Sequence, residues 1–300
     1  MEYYDKFNGV FSLLLTPFLE NKSIDWDAYD RYVEWQTSFK PNGLFAVCGT
    51  SEMKWLDKTE RLELARRAVL RSANLPVVAT ANLEEDPARH SDEVLEMAGT
   101  GVSGIVLIPP DGMGAEINRL KDHLAHLASL SPVPTFIYEW PQVQPYTLPA
   151  EVFATLAETA GIAGIKDTTC TLEGISSKIR AVNSNVIVYQ ANMSYMIEAL
   201  ELGASGIMTV SSGCFGDWVV DLWKSRHNEF QMKSTHYRLL FLDVLLRLGY
   251  PVTSKYIVQQ RGIKFGLTTR WPSVFPEETA KALQVFMSNI SKNSEALLES

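Results

Sequence analysis

The chain has 300 residues, of which 46% are hydrophobic, enough for one α/β barrel with an extension or for two average domains. Its 27 basic and 35 acidic residues give a net charge of −8 without a dense basic cluster, which argues against nucleic acid as a partner. No apolar stretch approaches the roughly 20 residues of a membrane span, and the first residues lack the apolar region of a secretory signal.

Three cysteines, Cys48, Cys170 and Cys214, lie far apart in the sequence, and their number is odd. This pattern argues against a disulfide framework and favours a reduced, cytoplasmic setting. The sequence contains neither a Cys-x-x-Cys pair nor a His/Cys cluster at ligand spacing. We therefore expect no bound metal.

Eight short runs rich in apolar and β-branched residues recur along the chain, and a helical pattern follows each of them. The runs are continuously apolar rather than alternating, which is typical of parallel strands covered by helices. The predicted strands are 9–18, 43–49, 76–81, 104–110, 134–141, 162–168, 186–191 and 206–210.

The segments between the runs carry helix start signals. Asp57 and Glu60 predict a capping box before a helix at 61–71, and Asn192 predicts the cap of a helix at 193–202. Eight strand–helix alternations over about 225 residues predict an α/β fold, a (β/α)8 TIM barrel, rather than an open doubly wound sheet. A dinucleotide-binding fold is disfavoured because no Gly-x-Gly-x-x-Gly turn follows the first run.

The last part of the chain has a purely helical pattern, with helices predicted at 236–248, 253–265 and 277–298. Because no polar linker precedes them, we expect a helical subdomain packed on the barrel rather than a free domain. The predicted organisation is a barrel at 1–224 and a C-terminal helical subdomain at 225–300.

Lys166 closes the sixth apolar run, where a charged side chain is out of place. Active sites of such barrels lie at the carboxyl ends of the strands, so Lys166 is expected at the barrel mouth. Burying its ammonium costs several kcal/mol unless it is paired or loses its proton. A lysine with a depressed pKa is a nucleophile that can form a Schiff base with a carbonyl substrate. The alternative is a strand-end surface lysine whose ammonium reaches water.

Residues at the ends of other strands complete a candidate site. Tyr138 ends the fifth strand beside Lys166 on the sixth, and a phenol next to an amine can relay protons while an imine forms. Gly49 lets the backbone approach a ligand closely, while Thr50 and Ser51 offer hydroxyl and N–H groups to a carboxylate. The predicted substrate-binding residues are Gly49, Thr50, Ser51, Ala191 and Met208.

Four motifs follow one another at the predicted strand ends. They read Thr16-Pro17-Phe18, Gly49-Thr50-Ser51-Glu52, Tyr138-Glu139-Trp140-Pro141 and Gly164-Ile165-Lys166-Asp167. Over essentially its whole length the chain resembles the class I aldolases of the dihydrodipicolinate synthase / N-acetylneuraminate lyase family. The second motif departs from the family's Gly-Thr-Thr-Gly-Glu, because Ser51 replaces the second threonine and one glycine is missing.

The resemblance implies an imine between Lys166 and a 2-oxo acid, with Tyr138 as the proton shuttle and without a metal ion or organic cofactor. The reaction would cleave or form a carbon–carbon bond next to a pyruvate unit, giving pyruvate plus an aldehyde. The same imine could instead drive loss of water from a 3-deoxy-2-oxo sugar acid. A ligand-binding barrel that has lost turnover is a further alternative. By analogy with the family we expect a homotetramer, or at least a homodimer.

Two departures bear on the substrate. Family members commonly follow the fourth strand with an element whose tyrosine enters the proton relay of a neighbouring subunit, but here that place reads Pro109-Pro110-Asp111-Gly112. Synthases of the family carry an arginine where Val143 stands, so dihydrodipicolinate synthase activity is disfavoured. Glu139 and Trp140 either set specificity or pack outward against helices. Asp111 either binds a polar substrate end or caps a turn.

Overall fold

The computed structural model describes residues 2–296 of the chain, with the side chains of residues 5–290. Eight parallel strands pair in sequence order, and the eighth pairs with the first to close a barrel. The predicted (β/α)8 barrel is confirmed. The strands are β1 (Gly9–Leu13), β2 (Gly43–Phe45), β3 (Val77–Thr80), β4 (Gly104–Leu107), β5 (Thr135–Tyr138), β6 (Gly164–Asp167), β7 (Ile187–Gln190) and β8 (Gly206–Ile207).

The strands are shorter than predicted because the last residues of the apolar runs leave the sheet. The first run, for example, was expected to continue to Phe18, but β1 ends at Leu13. Residues 14–18 are nevertheless buried. The apolar run therefore predicted burial correctly. Its residues beyond the end of the strand form a buried loop at the carboxyl end of that strand.

Helices surround the barrel and extend beyond it. They are α1 (Glu2–Phe7), α2 (Trp26–Ser38), α3 (Lys58–Arg71), α4 (His90–Ala98), α5 (Ile117–Leu130), α6 (Ala150–Ala160), α7 (Leu172–Ala181), α8 (Met196–Glu201), α9 (Ser212–Lys224), α10 (Glu229–Arg247), α11 (Val252–Gln260) and α12 (Glu277–Ala296). The capping box before α3 is confirmed: Glu60 N donates to Asp57 Oδ1 at 2.8 Å and Asp57 N donates to Glu60 Oε2 at 3.1 Å. Asn192 also caps as predicted, accepting a hydrogen bond from Ser194 N at 3.0 Å just before α8.

The amino-terminal helix closes the end of the barrel opposite the predicted site. Phe7, the last residue of α1, packs against Phe11 of β1 and Phe136 of β5, with ring centroids 5.9 and 5.0 Å apart. The Tyr189 phenol of β7 donates a hydrogen bond to the Phe7 carbonyl. Aromatic side chains fill this end, so the carboxyl ends of the strands form the entrance.

The three C-terminal helices are present, although α10 begins earlier than predicted. Asn228 caps it by accepting a hydrogen bond from Gln231 N at 3.2 Å, a start signal that our sequence analysis overlooked. Leu298, the predicted end of the last helix, lies outside the described residues. The division of the chain after residue 224 stays a prediction. None of the helices between residues 2 and 296 is long and apolar enough to cross a membrane.

Candidate active site

Lys166 is buried at the mouth of the barrel, with 4% of its surface exposed. Its ammonium lies 4.0 Å from the centroid of the Tyr138 ring and 5.7 Å from that of Phe45. No carboxylate among residues 5–290 pairs with it, and burial lowers the pKa of Lys166 to about 8. The surface alternative is therefore wrong, and near neutral pH a useful fraction of the amine is neutral and nucleophilic.

Tyr138 lies directly beside Lys166 because the two residues are register partners in β5 and β6. A Cβ atom at position 49 would lie 3.1 Å from the Tyr138 phenol oxygen and 3.2 Å from the Trp140 indole nitrogen. Glycine at position 49 therefore leaves room for both rings. Burial raises the pKa of Tyr138 well above its usual value, so the phenol keeps its proton at neutral pH and can donate it.

The two hydroxyl groups predicted to bind a carboxylate differ in availability. The Ser51 hydroxyl is used within its own loop, where it accepts a hydrogen bond from Cys48 N at 2.8 Å and donates one to the Cys48 carbonyl at 2.7 Å. Thr50 is 2% exposed, and its hydroxyl oxygen makes no hydrogen bond within the described part of the chain. An unsatisfied buried hydroxyl costs about 1–3 kcal/mol, so Thr50 is the side chain of this loop that gains from a ligand.

A cavity of about 360 Å³ opens at the carboxyl ends of β5 to β8. Lys166 and Tyr138 line it together with Ala191 and Met208, two of the predicted substrate-binding residues. Residues 49–51 are not part of this lining and adjoin it through the Tyr138 phenol. The structure thus places four of the predicted residues around one cavity, whereas Gly49, Thr50 and Ser51 lie behind the tyrosine.

Three polar residues of the cavity come from the C-terminal helical part, and our sequence analysis missed them. Asp243 and Arg247 lie on α10, and Tyr250 follows that helix. Arg247 donates to Asp243 Oδ2 from Nε at 3.0 Å and from Nη2 at 2.8 Å. Their spacing of four residues predicts the ion pair on a helix, but no local signal places α10 beside Lys166.

Glu139, whose role was left open, faces the surrounding helices rather than the cavity. Its carboxylate accepts hydrogen bonds from Leu148 N at 2.6 Å, from Thr168 N at 3.2 Å and from Lys178 Nζ at 2.7 Å. Lys178 also donates to Asp167 Oδ2 at 2.7 Å. Burial raises the pKa of Glu139, and the Lys178 ammonium opposes that rise. This buried cluster joins β5, β6 and α7 outside the barrel, so the packing interpretation of Glu139 is correct.

Glu52 anchors the loop of residues 49–52 to the C-terminal part of the chain. It is fully buried and has a left-handed backbone, with a φ of 62°. Its Oε1 accepts a hydrogen bond from Lys255 Nζ at 2.6 Å, and its Oε2 accepts one each from Arg270 N and Trp271 N at 2.7 Å. Three donors compensate the buried carboxylate, and they fix the position of the loop.

Trp140, Val143 and Asp111 line a separate cavity of about 590 Å³ that Lys166 does not reach. Asp111 Oδ1 accepts a hydrogen bond from Gln144 N at 3.0 Å, a contact 33 residues along the chain rather than a cap of the turn that follows Asp111. Val143 lines this second cavity and is not part of the lining of the lysine cavity. Besides Lys166, the basic residue in the described lining of the lysine cavity is Arg247.

Within the described residues, no group of three or more His, Cys, Asp and Glu side chains could hold a metal ion. The polar groups that face the lysine cavity include an amine, two phenols and an ion pair. These groups supply a nucleophile, proton donors and a charged rim.

The barrel fold with a buried amine beside a phenol at its mouth defines a class I aldolase or lyase, an enzyme that acts through an imine on lysine. A sequence model of the dihydrodipicolinate synthetase family matches residues 6–291. The chain therefore belongs to this family, whose members are pyruvate-dependent aldolases and lyases.

Relatives and solved structures agree with this assignment. A 4-hydroxy-tetrahydrodipicolinate synthase from Oceanobacillus iheyensis is 28% identical over 212 residues, which are 70% of this chain and 72% of the relative. One from Streptococcus pneumoniae is 27% identical over 291 residues, 94% and 92% of the two chains. A prophage protein of the dihydrodipicolinic acid synthase family from E. coli K12, solved with pyruvate, has a TM-score of 0.88 at 20% identity, covering 95% of this chain and 99% of that one. The last similarity shows the fold.

Proposed function

We propose that the chain forms an imine between Lys166 and a 2-oxo acid and cleaves, or in reverse forms, the carbon–carbon bond next to a pyruvate unit. The products of cleavage are pyruvate and an aldehyde. The observation that carries this proposal is the buried amine of Lys166, which pairs with no carboxylate among residues 5–290 and lies in a cavity beside Tyr138. Membership of a pyruvate-dependent family supports a 2-oxo acid as the substrate.

The chemistry follows from the imine. The neutral Lys166 amine adds to the substrate carbonyl carbon, and the former carbonyl oxygen leaves as water once it has been protonated. The resulting iminium accepts the electron pair of the breaking carbon–carbon bond and becomes an enamine, while the hydroxyl of the departing fragment loses its proton and the fragment leaves as the aldehyde. Protonation of the enamine carbon and addition of water then release pyruvate. Tyr138, beside the imine nitrogen, is the group that we propose to move these protons.

We assign the remaining predicted residues to substrate binding. The Thr50 hydroxyl is the proposed donor to the substrate carboxylate because it is buried and has no partner in the described structure. Gly49 admits the Tyr138 phenol, and Ser51 holds the loop through Cys48. The imine is itself the electron sink in this mechanism, so the proposal requires no cofactor.

The names of the relatives favour a second candidate, the synthase that condenses pyruvate with aspartate semialdehyde. That aldehyde carries a carboxylate, which needs a cation at the cavity. Arg247 is the available cation, but Asp243 Oδ2 accepts a hydrogen bond from its Nε and another from its Nη2, and this carboxylate offsets the positive charge. The closed ion pair favours a neutral, hydroxylated aldehyde, and for this reason we place the synthase second.

We expect the purified protein to condense pyruvate with polyhydroxylated aldehydes more efficiently than with aspartate semialdehyde. A charged hydrogen bond that the semialdehyde cannot make is worth about 1.5–3 kcal/mol, which corresponds to roughly 10- to 150-fold in kcat/KM. The measurement is product analysis by NMR over an aldehyde panel, in both reaction directions. Cleavage yields pyruvate plus aldehyde, whereas a new dioxo acid from a 3-deoxy-2-oxo sugar acid would show the dehydratase reaction instead.

Asp243→Asn is the matched variant for this assay because it frees Arg247 while leaving Lys166 and Tyr138 in place. It should raise the efficiency with aspartate semialdehyde and leave neutral aldehydes unaffected. Efficient condensation of the semialdehyde by the unmodified protein would replace the lyase assignment by the synthase.

We also propose that the chain assembles into a homotetramer, or at least a homodimer. Four apolar side chains along α10 and its C-terminal cap are exposed: Tyr237 by 65%, Phe241 by 56%, Val244 by 55% and Leu248 by 52%. Their spacing places them along one side of the helix, and an apolar stripe of this kind marks an interface. Sedimentation velocity at micromolar concentration should show more than one chain per particle, and a monomer would contradict the proposal.

A further inference from the structure

A buried acid follows each of the two residues to which we assign the chemistry. Glu139 comes directly after Tyr138 and Asp167 directly after Lys166, and both acids are buried. Successive side chains of an extended chain point to opposite faces, so the two acids lie outside the barrel while Tyr138 and Lys166 face the cavity. A group that binds both acids therefore acts on the two strand ends that carry the phenol and the amine.

Lys178 of α7 is such a group. Its ammonium donates to Glu139 Oε1 and to Asp167 Oδ2, each at 2.7 Å, and Lys178 is itself buried. Hydrogen bonds between charged groups are short and roughly twice as strong as those between neutral groups, so they hold the two carboxylates in a fixed relation. One ammonium thus ties the end of β5 to the end of β6 from outside the barrel.

Further hydrogen bonds connect this tie to the backbone of the two strand ends. Glu139 N donates to the Lys166 carbonyl at 3.3 Å, next to the position where Tyr138 and Lys166 are register partners. Thr168 donates its N–H to Glu139 Oε2 at 3.2 Å and its hydroxyl to the Glu139 carbonyl. Thr168 itself lines the lysine cavity. The outer cluster and the inner surface of the cavity therefore share one segment of backbone.

We propose that Lys178 is a positioning residue, which fixes the Tyr138 phenol relative to the Lys166 amine by binding Glu139 and Asp167. This proposal rests on the function proposed above. Misplacement of a reacting group by about 1 Å can lower a rate by about 10²-fold, so a contact outside the cavity is able to control the reaction. Lys178 is not part of the described lining of the cavity, and its effect on the reaction passes through Tyr138.

The step that should respond is the loss of water from the carbinolamine on Lys166. Its carbon–oxygen bond breaks, the nitrogen lone pair forms the carbon–nitrogen double bond, and the departing oxygen leaves as water with the proton that Tyr138 donates. Tyr138 then regains a proton from solvent, and nothing is oxidised or reduced. A badly placed proton donor slows this step in both directions, so it leaves the equilibrium amount of imine unchanged.

The test compares Lys178→Met with Arg61→Met. The first variant removes the ammonium that ties the two strand ends. The second removes another buried cation that pairs with two carboxylates, those of Glu84 and Glu93, but that is not part of the cavity lining. Three quantities are measured for each variant: the rate at which the borohydride-trapped pyruvate adduct on Lys166 appears, its final amount, and the temperature of unfolding.

Lys178→Met should slow the appearance of the adduct by about 10²-fold and leave its final amount at saturating pyruvate unchanged. Arg61→Met should lower the temperature of unfolding but form the adduct at the unmodified rate. In the Tyr138→Phe background, Lys178→Met should slow the reaction by less than about threefold, because the proton donor that Lys178 positions is already absent.

A second variant covers the case in which Lys178→Met fails to fold, since it leaves two buried carboxylates without their cation. Lys178→Met/Glu139→Gln removes one of these charges, and the Asp167 carboxylate keeps hydrogen bonds from Thr169 N at 3.3 Å and from Thr169 Oγ1 at 3.0 Å. This double variant should fold. It should also form the adduct slowly, because the tie between β5 and β6 is still missing.

The outcomes separate the positioning role from the proposed function. If Lys166 of the unmodified protein forms no adduct, the imine mechanism fails, and the positioning role fails with it. If the adduct forms but the folded Lys178 variants form it at the unmodified rate, only the positioning role is overturned. Equally slow adduct formation in Arg61→Met, or the full loss of rate in the Tyr138→Phe background, would trace the effect to general destabilisation and would also overturn the positioning role.

Discussion

Lys166→Ala should lose the borohydride-trapped pyruvate adduct completely and lower turnover by roughly 10⁴–10⁶-fold, the scale for loss of a nucleophile. The reason is that no other amine lines the cavity among the residues described. In the unmodified protein, mass spectrometry and peptide mapping should place one reduced adduct on Lys166. Lys166→Arg is the matched variant, since it keeps the positive charge but its guanidinium does not lose a proton to become a nucleophile.

Lys255 provides an internal comparison for this experiment. Burial lowers its pKa to about 8 as well, but its ammonium pairs with Glu52 and is not part of the cavity lining. Low pKa alone would predict labelling of both lysines, whereas access to the cavity predicts Lys166 alone. An adduct on Lys255, on any other lysine or on none would contradict the mechanism.

The rate of trapping should also depend on pH in one direction. Only the neutral amine attacks, and the pKa of Lys166 is lowered to about 8, so the rate should rise about tenfold per pH unit below pH 8 and level off above it. At the ordinary pKa of a lysine, the same rise would continue to about pH 10.

Tyr138→Phe should fold normally and lower turnover by about 10²–10⁴-fold, the usual contribution of one proton-transfer group. The phenylalanine ring keeps the packing against Phe45, whose centroid is 6.0 Å away, and keeps the aromatic face below the Lys166 ammonium. Turnover and thermal unfolding are measured for this variant and for a control, Tyr256→Phe. The control also removes one phenol hydroxyl, but Tyr256 is not part of the cavity lining. Turnover near that of the unmodified protein would remove Tyr138 from the mechanism.

The barrel and the inner part of the site could be predicted from local sequence patterns. Apolar runs identify buried strands, and the closed barrel then fixes which strand ends are neighbours. Tyr138 and Lys166 could therefore be placed side by side without knowledge of a single side-chain contact. The departures from strand geometry, such as the early end of β1 at Leu13, escaped prediction because buried loops are as apolar as buried strands.

The outer part of the site escaped prediction, and the reason is different. Arg247 and Tyr250 reach the cavity through the packing of α10 on the barrel, and no periodicity or spacing encodes that docking. The role of Glu139 was likewise undecided until Lys178, 39 residues away, was found against it. A charged residue in a buried stretch signals that a partner exists, but the partner's position follows only from the fold.

The anchoring of Glu52 also has a consequence for the order of events during synthesis of the chain. Lys255, its partner, is 203 residues downstream, and Arg270 and Trp271 follow still later. At translation rates of about 5–20 residues per second, about 10–40 seconds pass between the synthesis of the loop of residues 49–52 and the synthesis of the groups that hold it in place. The barrel strands can begin to assemble on the ribosome, but the three donors to the Glu52 carboxylate are missing until the C-terminal segment emerges. A ribosome-bound chain truncated before Lys255 therefore lacks the contacts that fix the binding loop.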